Sequence, residues 1–198
     1  MRKTGTLVLA LVLTGMAGTL TAQRRPSSGG GGGGAGGFWY ALGVAPGWAR
    51  VTCQICAGSR TTGLSAFLAL GGSTSRALRI GGELAAWRKS DEDITQTLMS
   101  IGTAALWYPT TKRNFYLRGG AALVMHRASD GTDVVTSSGI GPQLGVGYEQ
   151  AVSPHWRIAP FVHYSIGVFA GDVKFNGGQA AGSATVSFLQ VGVSLTRR

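Results

Sequence analysis

From Phe38 onward the chain alternates large apolar residues with small or polar ones at a period of two. In Leu78–Trp87 one face carries Leu78, Ile80, Gly82, Leu84 and Ala86, and the other carries Arg79, Gly81, Glu83, Ala85 and Trp87. A period of two is the signature of a β-strand with two unlike faces. Eight such segments, separated by turn residues, fall at roughly 38–51, 62–71, 77–88, 94–108, 115–127, 139–150, 156–169 and 183–196. Their length, about 10 to 15 residues, suits a tilted strand crossing a membrane and exceeds the usual five or six of a globular sheet. Eight strands also close into the narrowest barrel whose interior side chains fill.

The faces differ in kind. In the first segment Phe38, Tyr40, Leu42, Val44 and Trp48 oppose Ala41, Gly43, Ala45, Gly47 and Ala49; in the second, Leu64, Ala66, Leu68 and Leu70 oppose Gly63, Ser65, Ala69 and Gly71. A soluble barrel points its bulky face inward and covers the other with Lys, Glu and Thr. Here the second face is too small and too poor in charge to meet bulk water. The pattern predicts an all-β, eight-stranded antiparallel up-and-down barrel turned inside out, with lipid outside and a packed, glycine-rich polar lumen.

Arg79 and Glu83 then point into the lumen. The same alternation sends Arg118 and His126 inward from the fifth segment, Gln143 and Glu149 from the sixth, Arg157, Phe161 and His163 from the seventh and Gln190 from the last. The fourth segment fits least well, because its pattern turns Gln96 and Ser100 toward lipid. A symmetric hairpin about Ser153 sets Glu149 opposite Arg157 and predicts an ion pair between them. Glu83 and Arg118 lie at similar heights and are expected to meet across the interior, with Arg79 one layer below. Inward Trp87, Phe161 and Phe188 argue for a plugged lumen.

Composition sharpens this reading. Charged residues are 13% of the chain, against about 25% in an ordinary soluble domain, and 33 glycines take their place. The N-terminus, "MRKTGTLVLALVLTGMAGTLTAQ", sets Arg2 and Lys3 before an apolar run and small residues, the form of a secretory signal peptide over 1–22 cleaved after Ala22, with Ala17 an alternative. Residues 23–37 contain six consecutive glycines and are expected to be a flexible tether ahead of the barrel at 38–198. The net charge of +10 would suggest nucleic acid in a cytosolic protein; behind an export signal, with Lys and Arg scattered, it points instead to anionic lipid headgroups. No cofactor pattern is present.

With both barrel termini in the periplasm, "TCQICAGSR", "SDGTDVVTSS" and "GDVKFNGGQAAG" are surface loops, and "GSTSR", "PTTKRN" and "AVSPH" are the short opposite turns. Phe38, Trp39, Tyr40, Trp107, Tyr108, Phe115, Tyr116 and Trp156 gather beside those turns as an interfacial girdle. Cys53 and Cys56 sit in the first surface loop. A redox dithiol sits at a helix N-terminus and zinc needs further ligands, of which His126 is the nearest candidate, so an exported chain favours a loop disulfide.

The stretches "FLALGGSTSRALRIGGELAAWRKSDED", "LWYPT", "FYLRGGAAL" and "LQVGVSLT" resemble the outer-membrane β-barrel domain family, small eight-stranded barrels with the architecture of outer membrane proteins A, X and W. The resemblance covers Phe38 to Arg198. It implies residence in a Gram-negative-type outer membrane among lipopolysaccharide, and delivery by the outer-membrane assembly machinery. Such barrels finish in an aromatic residue, whereas this sequence ends Leu195-Thr196-Arg197-Arg198. "HYSIG" is similar to the His-x-Ser-Asn signature of lipid A deacylases, but Ile166 replaces the Asn, and His163 and Ser165 fall on the lumenal face. The expected role is therefore structural or interactive, a scaffold displaying surface loops without enzymatic activity. A narrow pore or carrier is the alternative and a lipid A esterase the third.

Overall fold

The computed structural model describes residues 37–53, 56–91, 94–110 and 114–198. The signal segment, its cleavage site at Ala22 and most of the glycine tether lie outside the described residues. Eight long strands follow one another: β1 (Phe38–Cys53), β2 (Thr61–Ser73), β3 (Leu78–Asp91), β4 (Ile94–Trp107), β5 (Phe115–Ser129), β6 (Val134–Tyr148), β7 (Trp156–Gly167) and β8 (Thr185–Arg197). Each pairs antiparallel with its neighbours in sequence. β1 also pairs with β8, from Tyr40 opposite Arg197 to Thr52 opposite Thr185, which closes the sheet into a barrel. Closure gives each of the eight long strands a partner on both sides, the condition for β-structure in hydrocarbon.

The end that holds Phe38 and Arg197 is cinched by backbone hydrogen bonds between successive turns. Ser73 N–H donates to the Gly37 carbonyl at 3.0 Å, Tyr108 N–H to Ala77 at 2.8 Å, Glu149 N–H to Asn114, and Arg198 N–H to His155 at 3.1 Å. The opposite, loop end is less even. β6 begins at Val134, five residues before the start expected from its pattern. "GDVKFNGGQAAG" is also not a free loop: Phe169–Phe175 continues the seventh strand along β6 and pairs with Gly178–Gly182. The turn is Asn176-Gly177, with φ of 46° and 85°, the mirror-image turn whose twist suits a two-residue hairpin and which Asn-Gly adopts most readily. Asn176 ties this hairpin to the neighbouring loop, accepting from Val134 N–H at 2.8 Å and donating to the Asp133 carboxylate at 2.8 Å. That loop is itself folded on Asp130, whose carboxylate accepts the Asp133 and Thr132 N–H groups at 2.7 and 3.0 Å; these backbone donors hold it below the ordinary carboxyl pKa.

The two faces separate by solvent exposure. Outward Val44, Leu64 and Leu144 are 60–73% exposed, whereas inward Trp39, Trp87, Phe188 and Glu149 are 1–2% exposed. The fourth strand corrects the sequence reading. Ser100 is buried, Gln96 is half-buried, and Met99, Ile101 and Trp107 are exposed. Large apolar residues occupy both parities of β4, so alternation alone does not orient it. Pairing does: Leu98 lies opposite Trp87 and Gly102 opposite Glu83, and directly paired residues share a face. The aromatic girdle is corrected as well. Phe38, Trp107 and Phe115 are exposed and Tyr40 packs edge-on against Trp156 at 5.9 Å, but Trp39, Tyr108 and Tyr116 turn into the interior.

Candidate functional site

The lumen is built in layers, beginning at the terminus-bearing end with Glu149, the residue that follows β6. Its carboxylate is 1% exposed. One oxygen accepts Arg79 Nη1–H at 3.2 Å and the Tyr108 hydroxyl at 2.8 Å, and the other meets Arg198 Nη2. Arg79 also donates to the Tyr108 oxygen at 2.8 Å and lies 4.7 Å from that ring's centre. Tyr108 thus receives a proton donor from the cation and hands its own to the anion, so three groups satisfy one another without water.

Arg157 is not the partner of Glu149. Ala151 pairs with Arg157 and Gln150 with Ile158, so the hairpin is centred on Pro154 and Glu149 stands level with Ala159. The sequence symmetry about Ser153 overlooked that the turn takes in Val152 to His155: Val152 and Ser153 N–H both donate to the Trp156 carbonyl. A shift of two residues keeps every side chain on its face and moves it one layer. That shift leaves Glu149 to Arg79 and Arg198.

Above this lies the second ion pair, Glu83 with Arg118, whose side chains are both under 10% exposed. Arg118 rests 5.8 Å from the Phe67 ring centre. Phe67 meets Phe161 edge to face at 5.1 Å, and the imidazole of His163 packs 4.3 Å from Phe161. Phe67 fits because Gly43 opposes it, and a Cβ at Gly43 would overlap the ring. A polar layer follows, in which Ser65 donates to the Ala45 carbonyl at 2.8 Å, Gln190 donates to Ser65 at 3.0 Å, and Gln143 donates to the Thr103 carbonyl. Trp87, Leu98, Val124 and Phe188 close the loop end of the core, with Trp87 Nε1–H bonded to the Gly47 carbonyl at 2.9 Å.

Between Glu83, Arg118, Gln143, His163 and Gln190 the interior leaves a cavity of ≈ 10 Å³, about the space of one water molecule. His163 and Ser165 are both buried there, and neither ring nitrogen of His163 has a hydrogen-bond partner among the described residues, so no His–Ser couple is assembled. Among the described residues no group of three His, Cys, Asp or Glu side chains could hold a metal ion. Cys53 stands directly opposite Cys56 across the antiparallel pair formed with Cys56–Ala57.

Two members of the first layer escaped the sequence reading. Tyr108 looked like a girdle residue because it lies beside Trp107, and only the parity of β4 separates the two. Arg198 carried no signal, since alternation does not reach a residue beyond the last strand.

No protein-family model matches the sequence, and no curated protein is similar to it at a significant level. Solved structures are similar. Neisserial surface protein A superposes with a TM-score of 0.51 at 22% identity, over 82% of this chain and 98% of that one. Ail, the attachment invasion locus protein of Yersinia pestis, superposes with a TM-score of 0.50 at 14% identity, over 80% of this chain and 97% of that one. The closed antiparallel eight-strand wall agrees with these likenesses, and the chain has the fold of the small eight-stranded β-barrels of the Gram-negative outer membrane.

Proposed function

We propose that this outer-membrane barrel acts through its surfaces, as a membrane-embedded scaffold presenting its loop end, and not by passing solutes through its lumen. The filled interior carries the reading: two ion-pair layers and an aromatic layer occupy the axis, and the central cavity holds about one water. The purified full chain in a planar lipid bilayer should show no single-channel conductance steps. Steady steps in most insertions would replace this reading with a narrow pore.

The membrane-embedded barrel has its own signature. Unboiled protein should migrate differently from boiled protein on a denaturing gel, because closed strand pairing resists detergent. Monodisperse behaviour without detergent would contradict it.

The loop end is proposed to be pinned by a disulfide between Cys53 and Cys56. Directly opposed residues of an antiparallel pair have Cα atoms about 4.5–5.5 Å apart, inside the range a disulfide spans. Exported protein should resist alkylation at both thiols until it is reduced, and Cys53→Ser should still give the heat-shifted barrel. Full alkylation without reductant would remove the disulfide.

A further inference from the structure

Outside the lumen, the lipid-facing wall is not uniform around the barrel. On β1, β3 and β5 the outward apolar stripe ends toward the loop end in an arginine: Arg50 above Trp48, Arg88 above Ala86 and Arg127 above Met125, all three exposed. On β4, between β3 and β5, a threonine lies at this level, whereas Arg88 faces Leu64 on its β2 side. Arg88 is paired with Thr97, and Thr97 with Arg127. The two arginines therefore flank one threonine, their backbones two strand spacings or roughly 10 Å apart. Among the described residues neither Arg88 nor Arg127 forms an ion pair.

Beneath each of these two arginines the wall is concave. Small Ala66 and Ala86, with Met99, form an apolar groove of ≈ 440 Å³ with Arg88 at its rim. Met99 and Met125 floor a second groove of ≈ 440 Å³ rimmed by Arg127, Thr136 and Lys174, with the carboxylate of Asp172 also on its lining, so that the two cations leave a net positive rim. Two adjoining apolar grooves, each capped by a cation on the loop-end side, have the form of a seat for an amphiphile with several chains and an anionic head.

We infer that the β3–β5 wall is a docking site for a phosphate-bearing glycolipid of the outer leaflet, whose acyl chains lie in the grooves beside Met99 and whose headgroup phosphates are held by Arg88 and Arg127. This rests on the reading of the outward face as lipid-facing. Arginine suits the task because its planar fork matches two phosphate oxygens at once and it is more weakly hydrated than an ammonium. The grooves supply what a free anion would not use, contact for methylenes. Opposed charge at the headgroup level is also the way a membrane protein selects one lipid from a fluid mixture.

The test uses the full chain in uncharged detergent micelles with fluorescent lipopolysaccharide as probe, beside the same lipopolysaccharide stripped of its phosphates and inorganic phosphate alone. Binding should weaken about tenfold or more, a step of roughly 1.4 kcal/mol, when the lipid is dephosphorylated or when Arg88→Gln and Arg127→Gln are combined. Lys89→Gln, which removes a neighbouring charge outside the grooves, should leave binding unchanged. Ala86→Phe, which fills a groove without altering charge, should weaken it.

Equal binding by the double arginine variant, equal binding of dephosphorylated lipid, or unhindered binding by Ala86→Phe would each overturn the inference. So would displacement of the lipid by equimolar inorganic phosphate, which would make the arginines a simple anion site. Every variant is first checked for the heat-dependent gel shift. A lost lipid with an intact shift concerns the groove alone, whereas a wild-type chain that stays soluble without detergent removes the membrane reading itself.

Discussion

Glu149→Gln is expected to lower the urea midpoint of the barrel in lipid vesicles by far more than Arg157→Met, although the sequence alone would match those two residues to each other. Glu149 answers two guanidinium groups and a phenol. Glutamine keeps its shape and removes its charge, which leaves Arg79 buried with no counter-ion while Arg198, 22% exposed in its side chain, retains a route to water. Breaking a buried pair from one side costs about 3 to 5 kcal/mol, whereas replacing both partners with uncharged groups of similar volume is often nearly neutral. Glu149→Gln/Arg79→Met should therefore recover most of what Glu149→Gln loses. Arg157, half-buried opposite Ala151, should change stability by less than about 1 kcal/mol. Strictly additive losses in the Glu149–Arg79 cycle would show that the two do not interact.

That contrast marks where the sequence stopped being informative. Alternation reports the face of a residue and says nothing about its height, because moving a strand by two residues preserves every face. The faces of β3, β5, β6, β7 and β8 were legible for that reason, and so was the inward aim of Arg79, Glu83, Arg118, Glu149 and His163. Which carboxylate meets which guanidinium depends on register, and register in the β6–β7 hairpin was set by a turn whose backbone hydrogen bonds the residue types do not announce. β4 failed at the earlier step. Leu98 and Leu106 on one parity and Met99 and Ile101 on the other cancel as a signal, and only pairing with β3 broke the tie. Asn176-Gly177 is the reverse case: its residue types favour a specific turn, but the glycine-rich surroundings read as loop. The cationic rim of the β3–β5 wall also needed register, since Arg88, Thr97 and Arg127 are far apart in sequence and adjacent only across the sheet.

The upper plug gives the second large effect. Trp87 is 2% exposed, carries its indole N–H to the Gly47 carbonyl and packs beside Phe188 and, at 6.4 Å, His126. The ring has space because Gly47 and Gly63 face it: a Cβ on Gly47 would stand 2.9 Å from the indole and one on Gly63 2.7 Å. Tryptophan and the two glycines are thus one packing unit divided among β1, β2 and β3. Trp87→Ala removes the largest member and should cost about 3 to 5 kcal/mol, the usual range for emptying a buried aromatic site. Trp87→Phe keeps most of the volume and should lose little beyond the single indole hydrogen bond, about 0.5 to 1.5 kcal/mol. Conductance adds an independent readout. With the ring gone, water enters from the loop end as far as the polar layer of Ser65, Gln143 and Gln190, but the Glu83–Arg118 and Arg79–Glu149 layers still cross the axis below it. Trp87→Ala should therefore be destabilised and remain electrically silent in a planar bilayer. Conductance from that single change would mean that the ion pairs do not seal the lumen, and a loss below 1 kcal/mol would mean that the aromatic layer is not packed as described.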